Sequence, residues 1–298
     1  MEIWVCLSIG AAIFQTLRFI LQKFLSDTQL GVDGATFSMF IYSATILMLL
    51  APLWFGYFGY PIVTGNFFIF SAIGGIAQIL ATLCVIALFK QRNFAVGIAF
   101  KKTETLQIAV ISLVVLGEKV SINALCAICI GFVGLVLLSK QPLKRSFLDE
   151  GVFNRSVFLG LLSGFLFAIS GVYYRASTLN VLDESSINRA IFTLTFVLVF
   201  QVIAMGGWLL LFNRDELKAV WKVRSVAIWV GLTSLAGSFC WFWAFSLVNA
   251  ALVKAVGQIE LLFSILASIV LFKEKITGRE LVGIFTVMLS LIGVIALG

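Results

Sequence analysis

Residues 104–121 read Glu-Thr-Leu-Gln-Ile-Ala-Val-Ile-Ser-Leu-Val-Val-Leu-Gly-Glu-Lys-Val-Ser, and residues 260–277 read Glu-Leu-Leu-Phe-Ser-Ile-Leu-Ala-Ser-Ile-Val-Leu-Phe-Lys-Glu-Lys-Ile-Thr. In both, one glutamate opens an apolar run and a Glu-Lys pair closes it. They belong to a longer match without gaps, residues 95–138 on 251–294 at a constant offset of 156. Ala95 meets Ala251, Ala99 meets Ala255, Leu106 meets Leu262, Ser112 meets Ser268 and Leu125 meets Leu281. Apolar segments share Leu and Ala cheaply. The rarer charged matches carry the signal: Glu104 with Glu260, and Glu118-Lys119 with Glu274-Lys275. At the same offset Asn93 meets Asn249 and Cys84 meets Cys240, which extends the internal repeat backwards.

The apolar setting of this repeat runs through the whole chain. Of 298 residues, 61% are hydrophobic, 12% are charged and none is histidine, and the mean hydropathy is +1.10. Soluble domains carry roughly 45–50% apolar and about 25% charged residues. The composition therefore predicts an integral membrane protein and disfavours a soluble enzyme, a nucleic-acid binder or a disordered scaffold. Apolar runs of the ~20 residues that a membrane helix needs fall at 3–23, 35–57, 67–89, 94–116, 121–139, 157–179, 187–212, 225–247, 250–272 and 277–297. These are ten candidate spans. No basic segment precedes Ile3 and no small-residue cleavage site stands out, so the first run is expected to remain as a span. Most connections are tight; 140–156 and 213–224 are longer.

The net charge of +7 reads as an orientation signal. Connections after odd-numbered spans hold Lys23, Lys90, Arg92, Lys140, Lys144, Arg145, Arg155, Arg214, Lys218, Lys222, Arg224, Lys273, Lys275 and Arg279; those after even-numbered spans hold only Lys119 and Arg189. The positive-inside rule predicts that the odd connections are cytoplasmic and that both termini face outward, in the cell (inner) membrane.

Five spans per repeat is an odd number, so the second half enters the membrane inverted. The expected fold is an all-α membrane protein of ten helices in two inverted five-helix repeats, 1–146 and 147–298. Inverted repeats are the architecture of many secondary transporters, with the substrate site near the midplane. The pattern Glu104…Gly117-Glu118-Lys119-Val-Ser121, with its copy Glu260…Lys273-Glu274-Lys275-Ile-Thr277, resembles the EamA-type members of the drug/metabolite transporter superfamily. That resemblance implies ten spans in two inverted halves and a transport function, without a particular substrate. Thr105 and Leu261 stand where the family often has a proline, and Lys273 replaces the glycine of the first copy's turn.

Charge inside the membrane needs an explanation, because Lys or Arg at a helix centre costs ~2.5–3.5 kcal/mol on insertion scales. Glu104 and Glu260 lie near the midplane of spans four and nine, with Lys101, Lys102 and Lys254 close in sequence. They line a central cavity that binds a charged substrate, or they form buried salt bridges that hold the halves together; the two readings are compatible. Helical spacing turns Lys102 away from Glu104, and Gln258 away from Glu260, so one of Lys101 and Lys102 is expected to face the cavity. Arg18 and Lys23 in span one and Arg175 in span six join the cavity or snorkel to an interface. Gln15, Gln22, Gln78, Gln107 and Gln201 offer neutral hydrogen bonds to a cavity or between helices. Trp241, Phe242, Trp243 and Phe245 stack on a substrate or face lipid. Arg18, Lys101, Lys102, Arg175 and Lys254 against Glu104 and Glu260 leave three positive charges, which suits an anion or zwitterion.

Glu118, Ser121, Glu274, Thr277 and Glu280 read as turn and cap residues; Thr277-x-x-Glu280 is a capping box and Ser121 an N-cap. The five cysteines lie in apolar runs and read as packing residues. Without histidine the commonest metal ligand and the Ser-His-Asp triad are missing, so no metal, cofactor or catalytic residue is expected. No Walker motif is present. The reading is a secondary active transporter of a small anionic or zwitterionic metabolite, working by alternating access as a monomer or homodimer. Its partners are the small-molecule substrate, membrane lipid and a coupling proton or counter-substrate, with no nucleic acid. The rivals are a lipid or lipid-linked sugar flippase and an integral-membrane lipid-modifying enzyme.

Overall fold

The computed structural model describes residues 2–90, 98, 101–139, 155–272 and 278–297. These are mostly helix: α1 (Ile3–Thr28), α2 (Val32–Phe58), α3 (Asn66–Phe89), α4 (Glu104–Leu116), α5 (Ile122–Ser139), α6 (Arg155–Leu179), α7 (Ser186–Phe212), α8 (Arg214–Lys222), α9 (Arg224–Leu247), α10 (Ala250–Val256), α11 (Glu260–Phe272) and α12 (Gly278–Leu297). A 3-10 turn, Gly257–Ile259, joins α10 to α11. Two short strands, β1 (Ile62–Val63) and β2 (Val181–Leu182), pair antiparallel with Ile62 opposite Leu182.

Seven helical stretches among the described residues are long and apolar enough to cross a membrane. The side chains are arranged for oil rather than water. Leu49, Leu53, Val114 and Leu211 are exposed, while Lys101, Lys102, Glu104 and Glu260 are buried. A protein in water inverts that pattern; in a bilayer, ionisable groups face the bundle interior. The chain is an integral, multi-pass membrane protein. Many interior hydroxyls donate to backbone carbonyls of the preceding turn: Thr16 Oγ1 to Ala12 O at 2.9 Å and Thr82 Oγ1 to Gln78 O at 2.8 Å.

Local chemistry sets the helix ends. Gly117 closes α4 at φ 66°, a left-handed conformation that favours glycine. The Ser185 side chain caps α7 by accepting from Asn188 N, and the Asn249 side chain caps α10 by accepting from Ala251 N at 2.7 Å. Ser121 Oγ accepts from Ala124 N at 3.1 Å, the N-cap expected of it. The connection at 213–224 is not a plain loop. It contains α8, whose Glu216 carboxylate accepts from Gly31 N at 2.9 Å. The longer loop around 140–154 lies outside the described residues, as do Glu274 and Thr277; the Glu280 side chain is likewise not described.

α3 packs along α6, α1 along α9, α2 against α7, and α5 along α12. Ser71 Oγ donates to Ser177 Oγ at 3.1 Å across the α3–α6 seam, and Ser290 Oγ to Ala127 O at 2.6 Å across the α5–α12 seam. Contacts among the connections sort them onto two faces. One face gathers β1 with β2, Glu118 with Arg175, and Arg189 Nη2 with Ser246 O at 3.0 Å. The other gathers Lys23 Nζ with Phe89 O at 3.2 Å, and Gly31 with Glu216.

Two apolar runs expected as single helices are interrupted midway. In the second, the 3-10 turn precedes Glu260. In the first, Lys102 N bonds Ile98 O at 3.1 Å but Thr105 N bonds Lys102 O at 3.2 Å, a change of ladder just before Glu104. Neither interruption uses proline. Close approach accompanies both instead: a Cβ on Gly164 of α6 would overlap Thr103 Oγ1 and lie 3.1 Å from Glu104 N, and a Cβ on Gly257 would overlap the Trp241 ring. Tight lateral contact fixes backbone groups that an unbroken helix would carry past these neighbours.

Candidate functional site

The two interruptions meet, and they bring five ionisable side chains together out of solvent. Lys101, Lys102 and Glu104 come from the first, Lys254 from α10, and Glu260 from the first residue of α11. The most exposed side chain of the five, Lys254, is only 6% accessible. Lys102 Nζ lies 2.6 Å from Glu260 Oε2, and Lys101 Nζ lies 3.0 Å from the same oxygen and 3.2 Å from Oε1. Gln15 of α1 adds a third donor, Nε2 to Oε2 at 2.7 Å. The two lysines were expected to diverge, on regular helical spacing. They converge on Glu260 all the same, just before the backbone turn at Lys102–Thr103. Gln258 does point elsewhere, toward Gly131 of α5.

Glu104 is held differently. Its Oε1 lies 3.6 Å from Lys254 Nζ, 3.8 Å from Lys101 Nζ and 3.9 Å from Lys102 Nζ. Neither of its oxygens has a hydrogen-bond partner among the described residues. Aromatic faces complete the surroundings. Lys254 Nζ stands 4.3 Å from the Trp241 ring, whose indole N–H donates to Gln15 Oε1 at 2.9 Å. Lys101 Nζ stands 5.1 Å from the Phe19 ring and 5.0 Å from Phe167. Such contacts offset part of the cost of removing an ammonium from water.

Arg18 adjoins this group: its guanidinium lies 4.3 Å from the same Phe19 ring and reaches Met39 Sδ at 2.8 Å. Its Nε and Nη2 have no hydrogen-bond partner among the described residues. Arg175 does not join. It pairs with Glu118 at 2.9 Å and donates to Phe245 O, beside the α4–α5 connection. Glu118 is thus an ion-pair partner as well as a turn residue, and it accepts from Ser112 Oγ at 3.0 Å. Lys23 sits at a helix end with Asp27 at 3.2 Å. With Arg175 paired elsewhere, Arg18, Lys101, Lys102 and Lys254 against Glu104 and Glu260 leave two positive charges.

Next to Lys254 is a cavity of about 20 Å³, lined by Gln15, Gln78, Ser170, Tyr174 and Trp241 among others. That is room for about one water molecule, so the site is closed. Gln78 Oε1 accepts from Tyr174 OH at 2.7 Å and from Gln201 Nε2 at 2.8 Å. Ser170, Tyr174 and Ser238 of this lining escape sequence reasoning, since a neutral residue in a long apolar run gives no sign of which way it points. No group of three or more Cys, Asp or Glu side chains among the described residues could hold a metal ion.

The comparisons agree with this architecture. A solved structure titled "Crystal structure of protein" aligns over 96% of this chain and 97% of its own, with a TM-score of 0.62 and 12% identity, a likeness of fold alone. No curated protein matches the chain. Residues 154–296 match the EamA-like transporter family. The second half of the chain thus carries an EamA-like transporter domain, of a family within the drug/metabolite transporter superfamily.

Proposed function

We propose that the protein is a secondary active transporter of a small anionic or zwitterionic metabolite, carried by alternating access between two inverted five-helix halves. The observation that carries this reading is the buried, net-cationic cluster where the interrupted spans meet. Discontinuous helices at the midplane are a recurrent way to build transporter sites, and an excess of two buried cations leaves an anion as the natural complement.

The inverted repeat draws support from packing. Exchanging the first and second sets of five spans turns the α3–α6 seam into the α9–α1 seam, and maps the α2–α7 and α5–α12 seams onto themselves. Three helices, α4, α5 and α12, supply the spans beyond the seven. Connections after even-numbered spans gather on one face, as ten spans require, and the positive-inside rule makes that face external. A proton or counter-substrate supplies the driving force.

Reconstitution tests this. Proteoliposomes are expected to take up labelled small carboxylates or phosphates saturably and to leave fluorescent lipid analogues in their original leaflet. Lipid translocation without anion uptake would replace the transporter reading with the flippase one.

A further inference from the structure

The connection at 213–224 differs from its counterpart in the other half. In the ten-span order it corresponds to residues 59–65, Gly-Tyr-Pro-Ile-Val-Thr-Gly, which carry no charge and form only β1. Residues 213–224 instead hold the helix α8, with Asn213 alone before it and Val223 alone after it. Such short tethers leave no slack, so α8 lies at the level where α7 and α9 leave the membrane. The exposed apolar side chains on either side mark that level: Leu211 and Phe212 at the end of α7, Ile228 and Trp229 near the start of α9.

The helix has two unlike faces. On the inner one Val220 is buried, and Leu217 and Ala219 pack against the core. The Glu216 carboxylate accepts from Gly31 N at 2.9 and 3.1 Å, and Val220 O accepts from Tyr42 OH at 3.3 Å. The outer face exposes Arg214, Lys218, Trp221 and Lys222, at the spacing of one helix face. Exposed Arg224 follows, its guanidinium 5.5 Å from the Trp221 ring. One acid joins them, Asp215, at 3.5 Å from Lys218. Four cations against one carboxylate leave an excess of three.

We propose that this outer face binds the headgroups of anionic phospholipids, and that the bound lipid holds α8, through Glu216, against the start of α2. Depth and charge select the partner. Anionic membrane surfaces attract basic segments lying at their edge, and an indole such as that of Trp221, 66% accessible, suits the same layer. Glu216 carries the effect into the bundle, because its bond to Gly31 joins the second half of the chain to the α1–α2 connection of the first. That junction is close: a Cβ on Gly34 would overlap the Glu216 carboxylate. This holds whatever the substrate and whichever leaflet α8 meets.

Thermal unfolding of the detergent-solubilised full chain tests the surface, with phosphatidylglycerol, phosphatidylcholine or soluble glycerol phosphate added. Phosphatidylglycerol is expected to raise the midpoint by about 2 °C or more, phosphatidylcholine by less than half as much, and glycerol phosphate not at all. K218Q/K222Q keeps the arginines that donate to Leu210 O and Trp221 O. It is expected to match wild type in phosphatidylcholine and to lose most of the phosphatidylglycerol increment. Hydrogen exchange of the Gly31 amide tests the coupling: phosphatidylglycerol is expected to slow it about fivefold in wild type and to leave it unchanged in K218Q/K222Q. Equal increments from the two lipids, or a full phosphatidylglycerol increment in K218Q/K222Q, would overturn the lipid surface. An increment from glycerol phosphate would make it a site for soluble anions instead. A lipid increment with no slowing at Gly31 would overturn the link through Glu216.

Discussion

Lys102 Nζ and Glu260 Oε2 stand 2.6 Å apart at full burial, joining the interruption of one apolar run to the interruption of the other. Both ions are buried, and Glu260 is also the acceptor of Lys101 and Gln15. Removing one partner of such a pair leaves an uncompensated charge, at a cost of about 3–5 kcal/mol. E260Q, which strands Lys101 and Lys102 together, is expected to lower stability by that order in thermal unfolding in detergent. The double variant E260Q/K102M leaves Lys101 and Lys254 against Glu104 and is expected to be more stable than E260Q alone. Losses from E260Q and from K102M alone that add in the double variant would show that the pair is not coupled.

The close approach of α6 to the first interruption makes a separate prediction. G164A places a methyl against Thr103 Oγ1 and within 3.1 Å of two backbone atoms, Glu104 N and Lys101 O. Backbone cannot rotate away as a flexible side chain can, so a loss of about 1–3 kcal/mol is expected. G56A, also within a helix, meets nothing within 4 Å and serves as the control, with stability kept or raised by up to about 1 kcal/mol. Equal melting temperatures for both variants would argue that the interruption does not depend on this contact.

Glu118 and Arg175 form a second, shallower ion pair, with side chains 19% and 12% accessible. It links the α4–α5 connection to α6 and, through Phe245 O, to α9. R175M is expected to lower stability by about 1–3 kcal/mol, as does loss of a charged hydrogen-bond donor. R175K should restore less than half of that loss, because an ammonium cannot serve both acceptors in the fork geometry of the guanidinium.

The sorting of connections onto two faces is open to labelling. Single cysteines introduced at Asp183 and at Asp215, in a background lacking the native cysteines, are expected to react with an impermeant thiol reagent from opposite sides of intact cells. The Asp183 position is expected to be external. Reaction of both from one side would contradict the span order, and a reversed pair would overturn the orientation alone.

The fold was largely legible because its signals are periodic or charged. Most of the apolar runs located helices to within a few residues, and Glu104, Glu260 and the Glu-Lys pairs are the sequence basis of the proposed repeat. The five cluster residues were also legible, since Lys and Glu in an apolar run are conspicuous. Orientation around the helix axis was not. Lys101 and Lys102 both reach Glu260, and the helix breaks between them and Glu104 where Gly164 of a different helix comes close. Arg175 looked like a cavity residue because its partner, Glu118, is distant in sequence and had a sufficient local role as a turn residue. Ser170 and Tyr174 gain their importance only from what stands opposite them.

The most direct measurement is the uptake of labelled small carboxylates or phosphates by proteoliposomes of wild type, K254Q and K101A, with folding verified by size-exclusion profile and thermal unfolding. Saturable uptake by wild type, abolished in K254Q and reduced in K101A with both variants folded, is the predicted result. Unchanged uptake kinetics in both folded variants would contradict the assignment of the buried cluster as the transport site.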